Sequence, residues 1–367
     1  MSSKKDNFHS KDKYFMNLAI SLANNRKGLT GLNPSVGCVI VKNNKIISYG
    51  QTGFTGRPHA EYEAIKKCKK KDLKDSSIYI SMEPCTHYGK TPPCTNLIIK
   101  SKIKKVLYSI NDVDKRTKNK AYPLLKLKGI VVSKGLLKSK TKNIYKNYFN
   151  HKKNKKPFIA AKIACSNDFF TSTRKKNISN KYSRNVSHLL RYQFDSILIS
   201  SKTANTDNSK LSCRINGLEN FSPQRLILDK NLKININSPI INDNNKNNTI
   251  IFHSSKNKKK IKYLKSKKIK LVFSSLDNHN NINLKVVFSK AYNNGITSII
   301  IEGGKTLTKN LLRDRLINEF YLFKSKNNLG KLGKNNISNL KKKISSFLKK
   351  KENIKTFLDG DEIIKYY

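Results

Sequence analysis

The chain has 367 residues, enough for two domains, and 76 Lys and Arg against 23 Asp and Glu give it a formal net charge of +53. Hydrophobic residues make up 37 %, and no stretch approaches the roughly 18 apolar residues of a membrane span. Six cysteines in so long a chain do not make a disulfide framework, and residues 1–13 carry no apolar signal core, so a cytoplasmic protein with no membrane partner is expected.

Such a charge would ordinarily point to nucleic acid. Here Lys is spread along the whole chain and travels with Asn and Ile, as at residues 244–248. These residues share A/T-rich codons, so genome composition accounts for the excess, and charge runs without a motif are solvated faces. Trp is absent and aromatics are not interleaved with the basic clusters, so no stacking surface for single strands is evident. A nucleic-acid partner is not expected.

In chain order, residues 12–25 place Phe15, Leu18, Ala19 and Leu22 at helical spacing, with Asp12 a candidate N-cap. A strand over 37–41, a turn at Asn43-Asn44 and a strand over 46–49 follow. A helix over 60–71 opens at His59, and a strand over 78–82 leads to Cys85. A short helix over 95–100 and a strand over 106–110 come next. Residues 145–157 are polar, basic and end in Pro157, which predicts a linker and domains of 1–149 and 150–367. Beyond it, short apolar runs at 158–164, 196–200, 226–228, 249–252, 269–273 and 298–301 alternate with helical or loop segments. Among these are 182–192, bearing His188 and Arg191, and 306–314. Strands alternating with helices predict an α/β chain with a mostly parallel sheet.

Two short motifs carry chemistry. His59-Ala60-Glu61 precedes Pro84-Cys85 and, after eight intervening residues, Cys94. A catalytic zinc takes three protein ligands and leaves the fourth position to water. His59, Cys85 and Cys94 supply three, for one Zn2+ per chain, and Glu61 is left over as a proton shuttle. Zinc-dependent nucleobase deaminases use this donor set, although many of them space the cysteines more closely. Residues 87–93, rich in Pro, Gly and polar side chains, read as a loop that leaves the metal and returns to it, placed to touch substrate. In the second half, Ile301-Glu302-Gly303-Gly304 lies between a strand and a helix, where glycines let backbone amides approach a phosphate. A tight turn with no ligand would look the same.

Asn33-Pro34-Ser35-Val36-Gly37-Cys38-Val39-Ile40-Val41, His59-Ala60-Glu61 and Glu83-Pro84-Cys85-Thr86-His87-Tyr88-Gly89-Lys90-Thr91-Pro92-Pro93-Cys94 together resemble the bifunctional deaminase/reductase family of riboflavin biosynthesis. The resemblance implies a cytidine-deaminase-like α/β/α N-terminal domain that removes an exocyclic amine from a phosphoribosylated diaminopyrimidine. It puts His59, Cys85 and Cys94 on zinc, Glu61 on proton transfer, and Asn33, His87 and Lys90 on the substrate. Lys90 stands where the family usually has Arg, so a bidentate phosphate fork becomes a point charge.

The second half is similar to the same family at Ala161-Lys162, Arg184, His188-Leu189-Leu190-Arg191, Asp195-Ser196-Ile197-Leu198, Thr203, Asp207, Leu211 with Arg214, residues 225–229, and Ile301-Glu302-Gly303-Gly304. This implies a dihydrofolate-reductase-like α/β domain that uses NADPH to reduce the ribose to a ribityl chain, in a protein that forms a homodimer. Arg191, Leu211, Arg214 and Glu302 would contact substrate; Thr203, Asp207, Gly303 and Gly304 would contact NADPH.

Departures concentrate in this half. Where the family usually has Ser-Leu-Asp-Gly-Arg, the chain has Ser166-Asn167-Asp168-Phe169-Phe170, which replaces a glycine that tolerates positive φ. A following Ser-Gly-x-Ser-x-Trp segment is shortened to Thr173-Arg174-Lys175-Lys176-Asn177, in which Lys175 and Lys176 are expected to meet the NADPH phosphates. An Asp-Asp-Pro has become Asp207-Asn208-Ser209. The alternatives to a bifunctional enzyme are a deaminase whose reductase half serves only structure, and a basic deaminase that binds nucleic acid.

Overall fold

Residues 8–173 and 178–367 are described by the structure, a computed structural model. The chain forms two compact units, Met1–Lys155 and Lys156–Tyr367.

The first unit runs α1 (Ser10–Asn25), β1 (Gly37–Lys42), β2 (Lys45–Gln51), α2 (Ala60–Lys66), α3 (Lys70–Leu73), β3 (Ser77–Met82), α4 (Cys94–Lys100), β4 (Lys105–Ile110), α5 (Ala121–Leu127), β5 (Val131–Lys134), α6 (Lys138–Ile144) and α7 (Lys146–Asn154). Its sheet has the order β2-β1-β3-β4-β5. The β1–β2 and β1–β3 pairs are antiparallel; β3–β4 and β4–β5 are parallel. Alternation along β1 shows why helices cover both faces. Val39 and Val41 pack with Phe15, Met16, Ala19 and Ile20 of α1. Cys38 and Ile40 pack with Ala60, Ala64 and Ile65 of α2 and with Ile98 of α4. Gly50 of β2 lets α2 lie directly on the sheet, because a Cβ there would fall 2.3 Å from the Ala60 carbonyl oxygen.

Three expectations change in this unit. Residues 145–157 are not a bare linker, since most of them form α7. Tyr145, Tyr148 and Phe149 recur at helical spacing and pack against Met82 and Ile110. Burying an aromatic such as Tyr145 contributes about 1.5–3 kcal/mol, enough to outweigh the helix's polar composition. Asp12 is not a cap; His9 holds that place. Asp12 lies in the first turn of α1, buried, where it accepts a 2.6 Å hydrogen bond from the Tyr79 hydroxyl. The helix expected over 60–71 breaks after Lys66 and resumes as α3.

The second unit runs β6 (Phe158–Cys165), β7 (Phe170–Ser172), α8 (Lys181–Gln193), β8 (Ser196–Ser200), α9 (Ser201–Asp207), β9 (Gln224–Leu228), α10 (Pro239–Asn242), β10 (Thr249–His253), α11 (Lys258–Ser266), β11 (Lys270–Phe273), α12 (Leu284–Asn293), β12 (Ser298–Ile301), α13 (Lys305–Arg313), β13 (Glu319–Lys324), β14 (Lys334–Asn336), α14 (Ser338–Phe347), β15 (Lys351–Asn353) and β16 (Glu362–Tyr366). Its main sheet has the order β11-β10-β9-β8-β12-β6-β13-β16-β15. It is parallel from β11 to β13, and β16 and β15 add antiparallel strands at one edge. Ile299 and Ile301 of β12 enter one core and Ile300 the other. Burial on both faces explains why these strands read as continuous apolar runs. β7 and β14 pair separately.

Candidate active site

Two helix starts and one strand end meet in the first unit. His59 is the N-cap of α2, Cys94 is the first residue of α4, and Cys85 follows the end of β3 by three residues. The Cys85 carbonyl accepts hydrogen bonds from the Thr95 backbone N–H and hydroxyl, both at 3.2 Å, which closes the 85–95 loop. The Cys94 N–H in turn donates to Cys85 Sγ at 3.2 Å. His59 Nδ1 lies 3.4 Å from Cys94 Sγ and 3.6 Å from Cys85 Sγ. All three donor atoms lie within 4.8 Å of one another. Metal–sulfur bonds of about 2.3 Å and metal–nitrogen bonds of about 2.0–2.1 Å at a tetrahedral angle would hold N and S about 3.5 Å apart. The trio fits a zinc ion.

The electrostatics suit a cation as well. Hydrogen bonds from Cys94 and His59 outweigh burial and lower the Cys85 thiol to about 4; the hydrogen bond to Cys85 and burial push Cys94 up. His59 is raised, chiefly by its contact with Cys85. Glu61, in the first turn of α2, is 4 % exposed, and burial together with the Cys85 charge raises its carboxyl to about 7. A divalent ion at the trio would oppose the rises at Cys94 and Glu61 and favour two thiolates.

A cavity of about 380 Å³ opens beside this trio. Asn33, His87 and Lys90 line it with Glu61, and so do Arg57, Arg116, Tyr148 and Lys152. The Asn33 amide donates to the Gly56 carbonyl at 3.1 Å. Gly56 has φ +95°, and a Cβ there would meet Asn33 at 2.5 Å, so this turn needs glycine. His87 Nδ1 lies 3.1 Å from the Thr117 hydroxyl, and Lys90 is exposed. Buried Glu83 accepts three backbone N–H bonds of 3.1 Å, from Asp112, Asn119 and Ala121, and so ties the 112–121 loop to the cavity. Asp114 pairs with Arg116 at 2.7 Å and Lys152 at 3.2 Å, which hold its carboxyl well below the usual range. Sequence reasoning missed Arg57, Asp114, Arg116, Tyr148 and Lys152. Only Arg57 carried a signal, its place two residues before a ligand; Arg116 and Lys152 are lost among so many basic residues, and no motif marks Asp114 or Tyr148.

In the second unit Arg191 of α8 reaches Glu302, the residue after β12. Nε and a terminal nitrogen donate to the two carboxylate oxygens at 2.7 and 3.0 Å, and the other terminal nitrogen donates to the Ser212 carbonyl at 3.0 Å. Lys162 Nζ is 3.9 Å from the same carboxylate and is pushed down by burial. Burial raises Glu302, but Arg191 and Lys162 more than offset it and hold the carboxyl at about 2. Burial and the Glu302 charge raise Asp207, and burial with Arg191 and Arg214 lowers His188 to about 4. Glu302, Arg191, Arg214 and Asp207 therefore share one electrostatic neighbourhood. Thr203 is tied to Ser200 in the first turn of α9. Gly304 caps α13, with open space where a Cβ would stand. Open backbone at the start of a nine-residue helix suits a phosphate, so these residues fit NADPH. The Leu211 side chain, by contrast, lies in the core. Lys175 and Lys176, expected on NADPH, lie outside the described residues.

Comparison with known proteins covers both units. Residues 157–354 match the model described as RibD C-terminal domain, and residues 9–110 match the cytidine and deoxycytidylate deaminase zinc-binding region. The riboflavin biosynthesis protein RibD of Aquifex aeolicus is 31 % identical over 323 residues, covering 87 % of this chain and 88 % of that protein. RibD of Buchnera aphidicola is 32 % identical over 347 residues, covering 88 % and 89 %. Among solved structures, the diaminohydroxyphosphoribosylaminopyrimidine deaminase/5-amino-6-(5-phosphoribosylamino)uracil reductase of Thermotoga maritima superposes with a TM-score of 0.78 at 27 % identity, covering 97 % and 98 %. The Acinetobacter baumannii RibD structure gives a TM-score of 0.80 at 23 % identity over the same shares.

Proposed function

The chain belongs to the RibD family of riboflavin biosynthesis, and on that premise we propose which of its residues perform the two reactions, deamination and then reduction. The first unit hydrolyses the exocyclic amine of a phosphoribosylated diaminopyrimidine; the second reduces the ribose of the product with NADPH. The observation that carries the reading is the His59, Cys85, Cys94 trio beside buried Glu61 at the wall of a cavity.

One zinc per chain, held by that trio, supplies Lewis-acid activation of water. Glu61 does the proton work. Its carboxylate takes a proton from the attacking water and hands it to the departing nitrogen, so the C–N bond breaks and neutral ammonia leaves. Asn33, His87 and Lys90 hold the substrate. The Asn33 amide spends one N–H on Gly56, which leaves its oxygen and a second N–H for the substrate. In the second unit NADPH supplies the hydride, and the protein binds and orients. Thr203, Asp207 and the Gly303-Gly304 turn take the cofactor. Arg214 and the Arg191–Glu302 pair face the sugar, with Lys162 behind Glu302, while core-bound Leu211 offers only backbone. All six cysteines are free, which suits a reducing cytoplasm. The homodimer is checked by sedimentation.

The test is product analysis on the full chain. With the diaminopyrimidine ribotide alone, ammonia is released and no reduction occurs; added NADPH is then oxidised. A zinc-loaded protein that releases no ammonia would sink the proposal.

A further inference from the structure

We infer that Arg57 is the phosphate-recognising fork of the deaminase cavity. The inference rests on the deaminase reading above and concerns which cation meets the substrate's phosphate.

Four cationic side chains line the cavity: Arg57, Lys90, Arg116 and Lys152. Two already share one carboxylate. Arg116 places Nε and a terminal nitrogen on the Asp114 carboxylate at 3.0 and 2.7 Å, and Lys152 shares that carboxylate at 3.2 Å. A phosphate arriving there would have to compete with Asp114, a like charge. Arg57 and Lys90 form no ion pair among the described residues, so they are the cations open to an anionic ligand.

The two differ in preorganisation. Lys90 is exposed on the 87–93 loop. Arg57 is half-buried, and one terminal nitrogen donates to the Thr91 hydroxyl at 2.8 Å, next to Lys90. Its other terminal nitrogen lies 3.8 Å from where a Cβ on Gly89 would stand, against the backbone of the same loop. The start of the side chain is fixed as well. Arg57 follows Gly56, whose carbonyl is held by Asn33 and whose φ of +95° sets the turn. A planar guanidinium, tethered at one corner with its remaining N–H groups free, matches the bidentate geometry of a phosphate; an ammonium does not. In this chain the fork comes from the loop before His59, and Lys90 adds a point charge beside it.

The test uses the full-length, zinc-loaded protein and two probes, the phosphorylated diaminopyrimidine ribotide and its dephosphorylated riboside. Binding is followed by calorimetry and deamination by ammonia release. Arg57→Ala is expected to weaken ribotide binding and raise its KM about 10- to 100-fold, the size of a charge-assisted bidentate contact. The kcat, the zinc content and the riboside constants stay within about twofold. Arg57→Lys recovers only part of the loss, and Lys90→Ala costs less than Arg57→Ala. Equal losses for ribotide and riboside, or loss of zinc in both Arg57 variants, would overturn the inference. A wild-type protein that binds ribotide tightly, in an Arg57-dependent way, yet releases no ammonia would overturn the deaminase reading and leave the phosphate fork standing.

Discussion

In the first unit the reactive donors converge on a shared space, whereas in the second the charged side chains engage one another. His59, Cys85 and Cys94 point their donors at a shared space, and Glu61 waits beside it. Glu302, Arg191 and Lys162 form an ionic cluster in which the carboxylate already has its partners. A donor set assembled against its own electrostatics needs a cation to make sense of it, so the first site announces its ligand. A satisfied ion pair has two uses, holding the fold and facing a substrate, and geometry alone does not separate them.

The strongest way to break this contrast is to remove a ligand from the first unit. Cys85→Ser or Cys94→Ser should lose zinc and deamination together, while the second unit still oxidises NADPH on deaminated substrate. Metal analysis beside the two assays checks it, and full zinc occupancy in either variant would falsify the ligand assignment.

Glu61→Gln sharpens the same side. It should keep zinc and lose roughly 10²–10⁴-fold in deamination rate, the usual worth of a positioned general acid–base. Near-wild-type turnover would remove Glu61 from proton transfer.

On the other side, Glu302→Gln breaks the cluster and leaves Arg191 and Lys162 without that carboxylate. The carboxyl sits at about 2 in the fold against an ordinary 4.5. A carboxyl lowered by folding stabilises fully above its unfolded value and loses that contribution as pH falls through its folded value. The variant should therefore be less stable at pH 7 by on the order of 3 kcal/mol, and the difference should vanish between about pH 4.5 and pH 2. Urea unfolding across that range measures it. A pH-independent difference would mean that lost packing, not charge, dominates.

The smallest effect is expected at Phe169. It stands where the family usually has glycine, yet keeps the left-handed backbone at φ +66°. That conformation costs a side-chain residue roughly 1–2 kcal/mol. Its ring offsets the cost by packing against the core, with Lys324 and Lys341 over it at 5.8 and 5.2 Å. Phe169→Gly should therefore change stability by less than about 1 kcal/mol, with strain relief and lost packing nearly cancelling. A loss of about 3 kcal/mol or more in urea unfolding would show that the ring holds this segment.

Much of the molecule was legible in the chain because its signals are local. Apolar runs such as 298–301 declare strands buried on both faces, and β12 is there. His59, Glu61, Cys85 and Cys94 could be singled out because imidazole, thiol and carboxylate at such spacing have few other uses. Local signals also misled. The polar surface of residues 145–157 hid three aromatics that turn a linker into α7. A plausible cap at Asp12 proved to be a buried partner of Tyr79, 67 residues away.

What the sequence determined by itself was the chemistry on offer: two α/β units, a soft-donor trio with a spare carboxylate, and acid and base at matching places in the second half. Only the tertiary structure decided which charges are spent and which are free. Arg116 and Lys152 share Asp114, Arg191 pairs with Glu302, and Arg57 is left open over the cavity. In a chain with 76 basic residues, which of them stay open is not legible until folding assigns the few carboxylates their partners. That assignment is made through space rather than along the chain; Arg191 and Glu302 are 111 positions apart.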